Sequence, residues 1–94
     1  MNVFEWNEAK AALNVARHGV TFDEAQTAFG DPLARVKPDP DHSEGEFREV
    51  LAGTSTSGAV LLVSFAQQAE TIRIISARPM TRSERKYHEE ERVL

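Results

Sequence analysis

Ala59-Val60-Leu61-Leu62-Val63-Ser64-Phe65, then Gln67-Gln68-Ala69-Glu70, then Thr71-Ile72-Arg73-Ile74-Ile75-Ser76-Ala77-Arg78-Pro79 is the stretch that decides the fold. Two β-branched, apolar runs separated by a few polar residues read as adjacent antiparallel strands. The first is apolar enough to be buried on both faces or nearly so. Pro79 breaks the second run. Thr81-Arg82-Ser83-Glu84 then has the spacing of a capping box, in which hydroxyl and carboxylate satisfy each other's backbone N–H, and starts a C-terminal helix.

Upstream the same signals extend the pattern. Thr54-Ser55-Thr56-Ser57-Gly58 is a turn, and Phe47 to Gly53 a strand that feeds it. Leu33 to Lys37 is a further strand candidate, separated from Phe47 by the polar, twice-proline loop Pro38 to Gly45. Short connections make these neighbours, so a three- or four-stranded antiparallel meander is expected. Val3 to Trp6 opens the chain as a short strand. Asn7 caps a helix to about Arg17, with Ala9, Ala12, Leu13 and Ala16 at helical spacing, and Gly19 ends it. Thr21-Phe22-Asp23-Glu24 is another capping box, for a helix that buries Ala25, Ala28 and Phe29 and stops at Gly30-Asp31-Pro32. The order β-α-α, meander, C-terminal helix is an α+β fold, with helices packed on one sheet face.

The chain's 94 residues make one domain, spanning 1–94. It has no cysteine, which excludes a disulfide scaffold, a thiolate metal site and a thiol nucleophile. No apolar run reaches membrane length and the N-terminus lacks a signal-peptide pattern, so a cytoplasmic domain with no membrane partner is expected. The net charge of −4 is unevenly spread. Between Arg73 and Lys86 five bases face one acid, Glu84, whereas the rest of the chain carries six bases and fourteen acids. A basic segment binds phosphate whatever the total charge, because screening acts within about 8 Å at physiological salt. A solvated helix face is the alternative reading of the same segment.

Phe4-Glu5-Trp6-Asn7, Lys10, Asn14, His18-Gly19-Val20-Thr21-Phe22-Asp23-Glu24-Ala25, Phe29 and Asp31-Pro32 resemble the N-terminal half of the BrnT toxins. Glu44-Gly45-Glu46, Arg48, Gly53, Ile72-Arg73-Ile74-Ile75-Ser76-Ala77-Arg78 and Glu84-Arg85, Tyr87 resemble the other half. The resemblance implies a RelE-like microbial ribonuclease fold and toxicity through RNA cleavage without a metal or other cofactor. It also implies a BrnA-like ribbon-helix-helix antitoxin, in a possible two-plus-two assembly, with DNA contacted only through that partner. One position departs from the pattern. Where the family commonly has an arginine after the long apolar strand, this chain reads Phe65-Ala66-Gln67-Gln68, so the expected base is Gln68. That bears on RNA cleavage and leaves the fold and the partner-binding surface untouched.

RNA cleavage through the ribose 2′-hydroxyl needs proton transfer and charge stabilisation on the phosphate. Arg78, at a strand end before Pro79, is the first candidate for the phosphate, its alternative being an ion pair with Glu84. Arg48 on a neighbouring strand could face the same surface or make a cross-strand ion pair. His18 could shuttle a proton at neutral pH, or simply complement the helix dipole. Lys10 lies two helical turns before His18 on the same side, and Arg73, Arg82 and Arg85 complete the expected RNA-binding set. Asp39, Asp41, His42, Glu44 and Glu46 lack the spacing of a metal loop, and no metal site is expected. Two functions follow: an endoribonuclease toxin that inhibits translation, or a catalytically weak toxin-fold subunit that holds the antitoxin and assists operon repression.

Overall fold

The computed structural model describes residues 2–39 and 46–93. The two apolar runs form β4 (Val60–Gln68) and β5 (Thr71–Pro79), paired antiparallel from Leu61 opposite Pro79 to Gln68 opposite Thr71. β4 is longer than expected: Gln67 and Gln68 belong to the strand, and the turn narrows to Ala69 and Glu70. Ala69 supplies the reversal with φ 53°, a left-handed conformation uncommon outside glycine.

Before them come β2 (Arg35–Pro38) and β3 (Glu49–Thr54), which complete a four-stranded antiparallel meander. The polar loop expected over Pro38 to Gly45 lies, from Pro40 onward, outside the described residues. β1 (Val3–Glu5) joins the far edge, parallel to the start of β5, so the sheet is mixed and ordered β1-β5-β4-β3-β2. The two N-terminal helices carry the chain from β1 at one edge to β2 at the other, and the return that sets β5 beside β1 is a long-range pairing that local sequence signals do not reveal.

Those helices are α1 (Glu8–His18) and α2 (Phe22–Thr27), followed by a 3₁₀ turn at Ala28–Gly30. Asn7 Oδ1 accepts the Lys10 N–H at the start of α1, and Gly19 ends it with φ 69°, as its missing Cβ allows. At α2 only half of the expected capping box forms. Thr21 Oγ1 accepts the Glu24 N–H at 3.0 Å, but the Glu24 carboxylate accepts hydrogen bonds from Ser55 and Ser57 in the β3–β4 turn. It thereby ties α2 to the sheet.

One sheet face holds the core. Leu51, Leu61, Val63, Phe65, Ile72, Ile74 and Ala77 pack against Val20, Phe22, Ala25 and Ala28. Phe29 bridges Phe4 and Phe65 with two edge-to-face contacts, each 5.0 Å between centroids. α3 (Arg82–Val93) takes the opposite face, over Val50, Ala52 and Leu62. The helices therefore divide between the two faces, in place of the expected packing on one. β4 consequently alternates, with Leu61, Val63 and Phe65 buried and Val60, Leu62 and Ser64 half-buried. Its apolar run supports both a core and a platform for α3.

Candidate functional site

α3 covers only one end of its sheet face, and what remains open is where the expected site residues meet. Their placement begins with Asn14, which is 5% exposed on α1. Its Nδ2 donates to the carbonyls of Ala77 at 2.8 Å and Val20 at 2.9 Å, and its Oδ1 accepts the Ala77 N–H at 3.0 Å. Bonding both groups of one residue is what a neighbouring strand would do. Asn14 thus closes the edge of β5 beyond the point where β1 ends. It also sets the end of α1, so that His18 lies beside that edge.

His18, Ser64, Ser76 and Arg78 line one depression of about 190 Å³ with Val50 and Leu62. Ser64 and Ser76 are directly opposite across β4 and β5. Lys10 shares a neighbouring depression with Arg17, His18 and Ser76.

Arg78 makes the ion pair that was its alternative reading. Nη1 donates to Glu84 Oε1 and Nη2 to Glu84 Oε2, both at 2.8 Å, and Nη1 also donates to the Pro79 carbonyl at 3.2 Å. The capping box expected at Thr81 is complete: Thr81 N–H donates to Glu84 Oε1, and Glu84 N–H to Thr81 Oγ1. Hydrogen bonds from Arg78, then from the Thr81 backbone, hold the Glu84 carboxyl down at about 2. Reciprocally, the bond to Glu84 raises the affinity of Arg78 for its proton. A guanidinium has five N–H groups. Among the described residues three are used, which leaves Nε and one Nη2 hydrogen side by side. That second fork has the geometry that takes two phosphate oxygens.

Arg48 and Arg73 meet at a different carboxylate. Both donate to Glu46 Oε1, Arg48 at 3.4 Å. Desolvation pushes Glu46 up, but bonds and charge from Arg73, then Arg48, outweigh it and leave its carboxyl below the ordinary range. Beside this cluster Glu5, Glu46, Phe47, Gln67, Gln68 and Arg73 line a broad depression of about 760 Å³. The register shift between Ser64 and Phe65, which leaves Ile75 without a partner on β4, brings Ser64, Arg73, Ser76 and Arg78 onto the same open sheet face despite their odd spacing, and Arg48 immediately precedes β3. Arg82 and Arg85 are exposed on α3.

Between α3 and the sheet runs a groove of about 350 Å³, floored by Val50, Ala52, Leu62 and Met80. Arg35 and Lys37 close it by pairing with Glu91, and Lys37 stands 5.1 Å from the Tyr87 ring centroid. His88 is 4% exposed there, and its Nε2 has no hydrogen-bond partner among the described residues. Among the described residues no cluster of His, Asp or Glu could hold a metal ion, and no helix is long and apolar enough to cross a membrane.

Sequence reasoning missed the brace made by Asn14, the Ser64–Ser76 pair and the role of Glu46. A lone polar residue on an apolar helix face or strand is the signal that could have found the first two. The contact of Glu46 with Arg48 is local, two residues apart, but its contact with Arg73 joins segments 27 residues apart and left no local sign.

Residues 6–84 match the family described as the ribonuclease toxin BrnT of type II toxin-antitoxin systems. The fold is similar to the 1.1 Å crystal structure of the Brucella abortus ribonuclease toxin BrnT, with a TM-score of 0.68 and 21% identity. The similarity covers 87% of this chain and all of that one. No curated protein matches the chain by sequence.

Proposed function

Since the chain belongs to the BrnT family of ribonuclease toxins of type II toxin-antitoxin systems, we propose that it cleaves RNA by attack of a ribose 2′-hydroxyl on the adjacent phosphate, at the depression between α1 and the open sheet face. The observation that carries the reading is the second N–H fork of Arg78, held in place by Glu84, in a depression that His18 also lines. A phosphate bridging that fork gains two charge-assisted hydrogen bonds, which strengthen as negative charge builds on its oxygens in the transition state. Glu84 acts as a positioning residue, because an arginine fixed at one end loses less freedom on binding. His18 moves the proton of the 2′-hydroxyl or of the leaving 5′-oxygen, and Ser64 and Ser76 offer hydroxyls to the phosphate.

Arg48 adds positive charge from the neighbouring strand. Lys10, Arg82 and Arg85 contact the flanking RNA backbone, where each neutralised phosphate adds to a salt-sensitive affinity, and Arg73 contacts the RNA beside them. Cleavage of messages in the cytoplasm then stops translation. A BrnA-like ribbon-helix-helix antitoxin, in a two-plus-two assembly, would restrain the toxin by covering the Arg73 to Arg78 face, since opposed potentials favour association. The reaction needs no metal ion in this scheme. The test is purified chain and RNA with a chelator present: fragments ending in 2′,3′-cyclic phosphate and 5′-hydroxyl support it. Intact RNA over a wide range of concentrations of folded protein would contradict it.

A second reading has its own support. Arg48 and Arg73 are both tied to Glu46, and Gln68 stands where the family pattern expects a base. These favour a catalytically weak subunit that binds the antitoxin and assists repression of its own operon. On that reading Gln68→Arg awakens toxicity; an equally harmless variant counts against it.

A further inference from the structure

The broad depression at the Gln67–Thr71 end of β4 and β5 differs in chemistry from the Arg78 end. Glu46 is shared there by Arg73 and Arg48, and Glu5 lies beside them, so the four charged groups sum to zero and offer a phosphate no net attraction. Its wall carries Phe47, a ring left 60% exposed immediately before Arg48. Across from it stands Gln68, exposed, its amide holding no hydrogen bond among the described residues. Gln67 is anchored differently, with Nε2 donating to the Ala69 carbonyl at 3.2 Å. A neutral, flat group with hydrogen-bonding edges fits such a place, and a charged one does not.

We infer that this depression is a nucleobase subsite, in which the Phe47 ring stacks on an unpaired base and the Gln68 amide bonds to that base's edge. The inference rests on the reading of the chain as an RNA-cleaving toxin and deepens it. Aromatic rings bind any base through its π-face, and the paired donor and acceptor of glutamine match N6 and N7 of adenine. The flat guanidinium of Arg73, held by Glu46, forms a second wall. Arg73 and Arg78 stand opposite Ala66 and Leu62, four residues apart on β4 and so about 13 Å at strand rise, which puts base and phosphate sites along one strand within a short oligonucleotide's reach. Gln68 then selects the substrate, which gives a role to the residue that departs from the family pattern.

The probe is a labelled 2′-O-methyl pentauridylate with one central adenine, which cannot be cleaved through the 2′-hydroxyl, read by fluorescence anisotropy. Phe47→Leu keeps apolar bulk but removes the ring, and the affinity is expected to fall roughly 5- to 100-fold, while Phe47→Trp retains it. A pentamer abasic at its centre should bind the wild type weakly and be indifferent to Phe47→Leu. Gln68→Ala should erase the preference for a central adenine over a central cytosine. Unchanged affinity of Phe47→Leu, with Arg78→Gln still weakening the same RNA, overturns the subsite and leaves the proposed function standing. So does a Phe47→Leu variant that weakens only the antitoxin complex. A wild-type chain that binds no RNA overturns both.

Discussion

Arg78 and Glu84 meet end-on, with two 2.8 Å hydrogen bonds spanning the junction between β5 and α3, and the same carboxylate closes the first turn of that helix through Thr81. One acid therefore fixes both the helix that covers half of the sheet face and the arginine at the border of the open half. An ion pair of this kind need not compete with a phosphate. It occupies one side of a planar fork and presents the other.

Acid stability should report on this pair. Glu84 titrates at about 2 in the folded chain against an ordinary 4.5. A carboxyl held below its ordinary value stabilises the fold fully above about pH 4.5, and that contribution is lost as the pH falls towards 2. Glu84→Gln retains the capping geometry and removes the titration. Urea unfolding at stepped pH should therefore show a shallower loss of stability between 4.5 and 2 in the variant. The effect is modest, because solvent screens a half-exposed pair.

Arg78→Lys preserves charge but not the fork. An ammonium cannot bond Glu84 with two parallel N–H groups and still offer two more to a phosphate. Cleavage by the variant should fall by about 10²-fold or more, with the fold intact by circular dichroism. Retention of near-wild-type turnover would remove bidentate phosphate binding from the mechanism.

Asn14→Leu tests the brace between α1 and β5. The variant leaves the Ala77 N–H and carbonyl without their partner at a buried edge, and the predicted cost is about 2–3 kcal/mol in urea unfolding. Because His18 and Ser76 lie on either side of this brace, cleavage should fall in the remaining folded protein as well.

Ala69→Gly should stabilise the chain. Alanine at φ 53° carries a left-handed penalty that glycine avoids, and the gain, net of added freedom in the unfolded chain, is about 0.5–1 kcal/mol. Thermal or urea unfolding measures it, with no change expected in RNA affinity.

What was legible in the sequence was local. The Asn7 cap, the Gly19 stop and the Thr81–Glu84 box are each decided within four residues, and each stands in the structure. The Thr21 box half-failed because Glu24 found better partners in Ser55 and Ser57, more than thirty residues away. Long-range pairing hid the rest: β1 parallel to β5, α3 on the second face, and Asn14 standing in for a strand. The site shows the same division. Arg78, His18 and Lys10 were marked by their position at element ends or on one helix face. The capture of Arg73 by Glu46, which already holds its near neighbour Arg48, depends on segments 27 residues apart converging.

The central claim, RNA cleavage at the Arg78 face, is tested most directly by inducing the chain without an antitoxin beside its Arg78→Ala variant, following growth and total RNA. Growth arrest with RNA fragmentation in the wild type, and neither in the variant, is the predicted result. Normal growth and intact RNA from soluble, folded wild-type protein would contradict it.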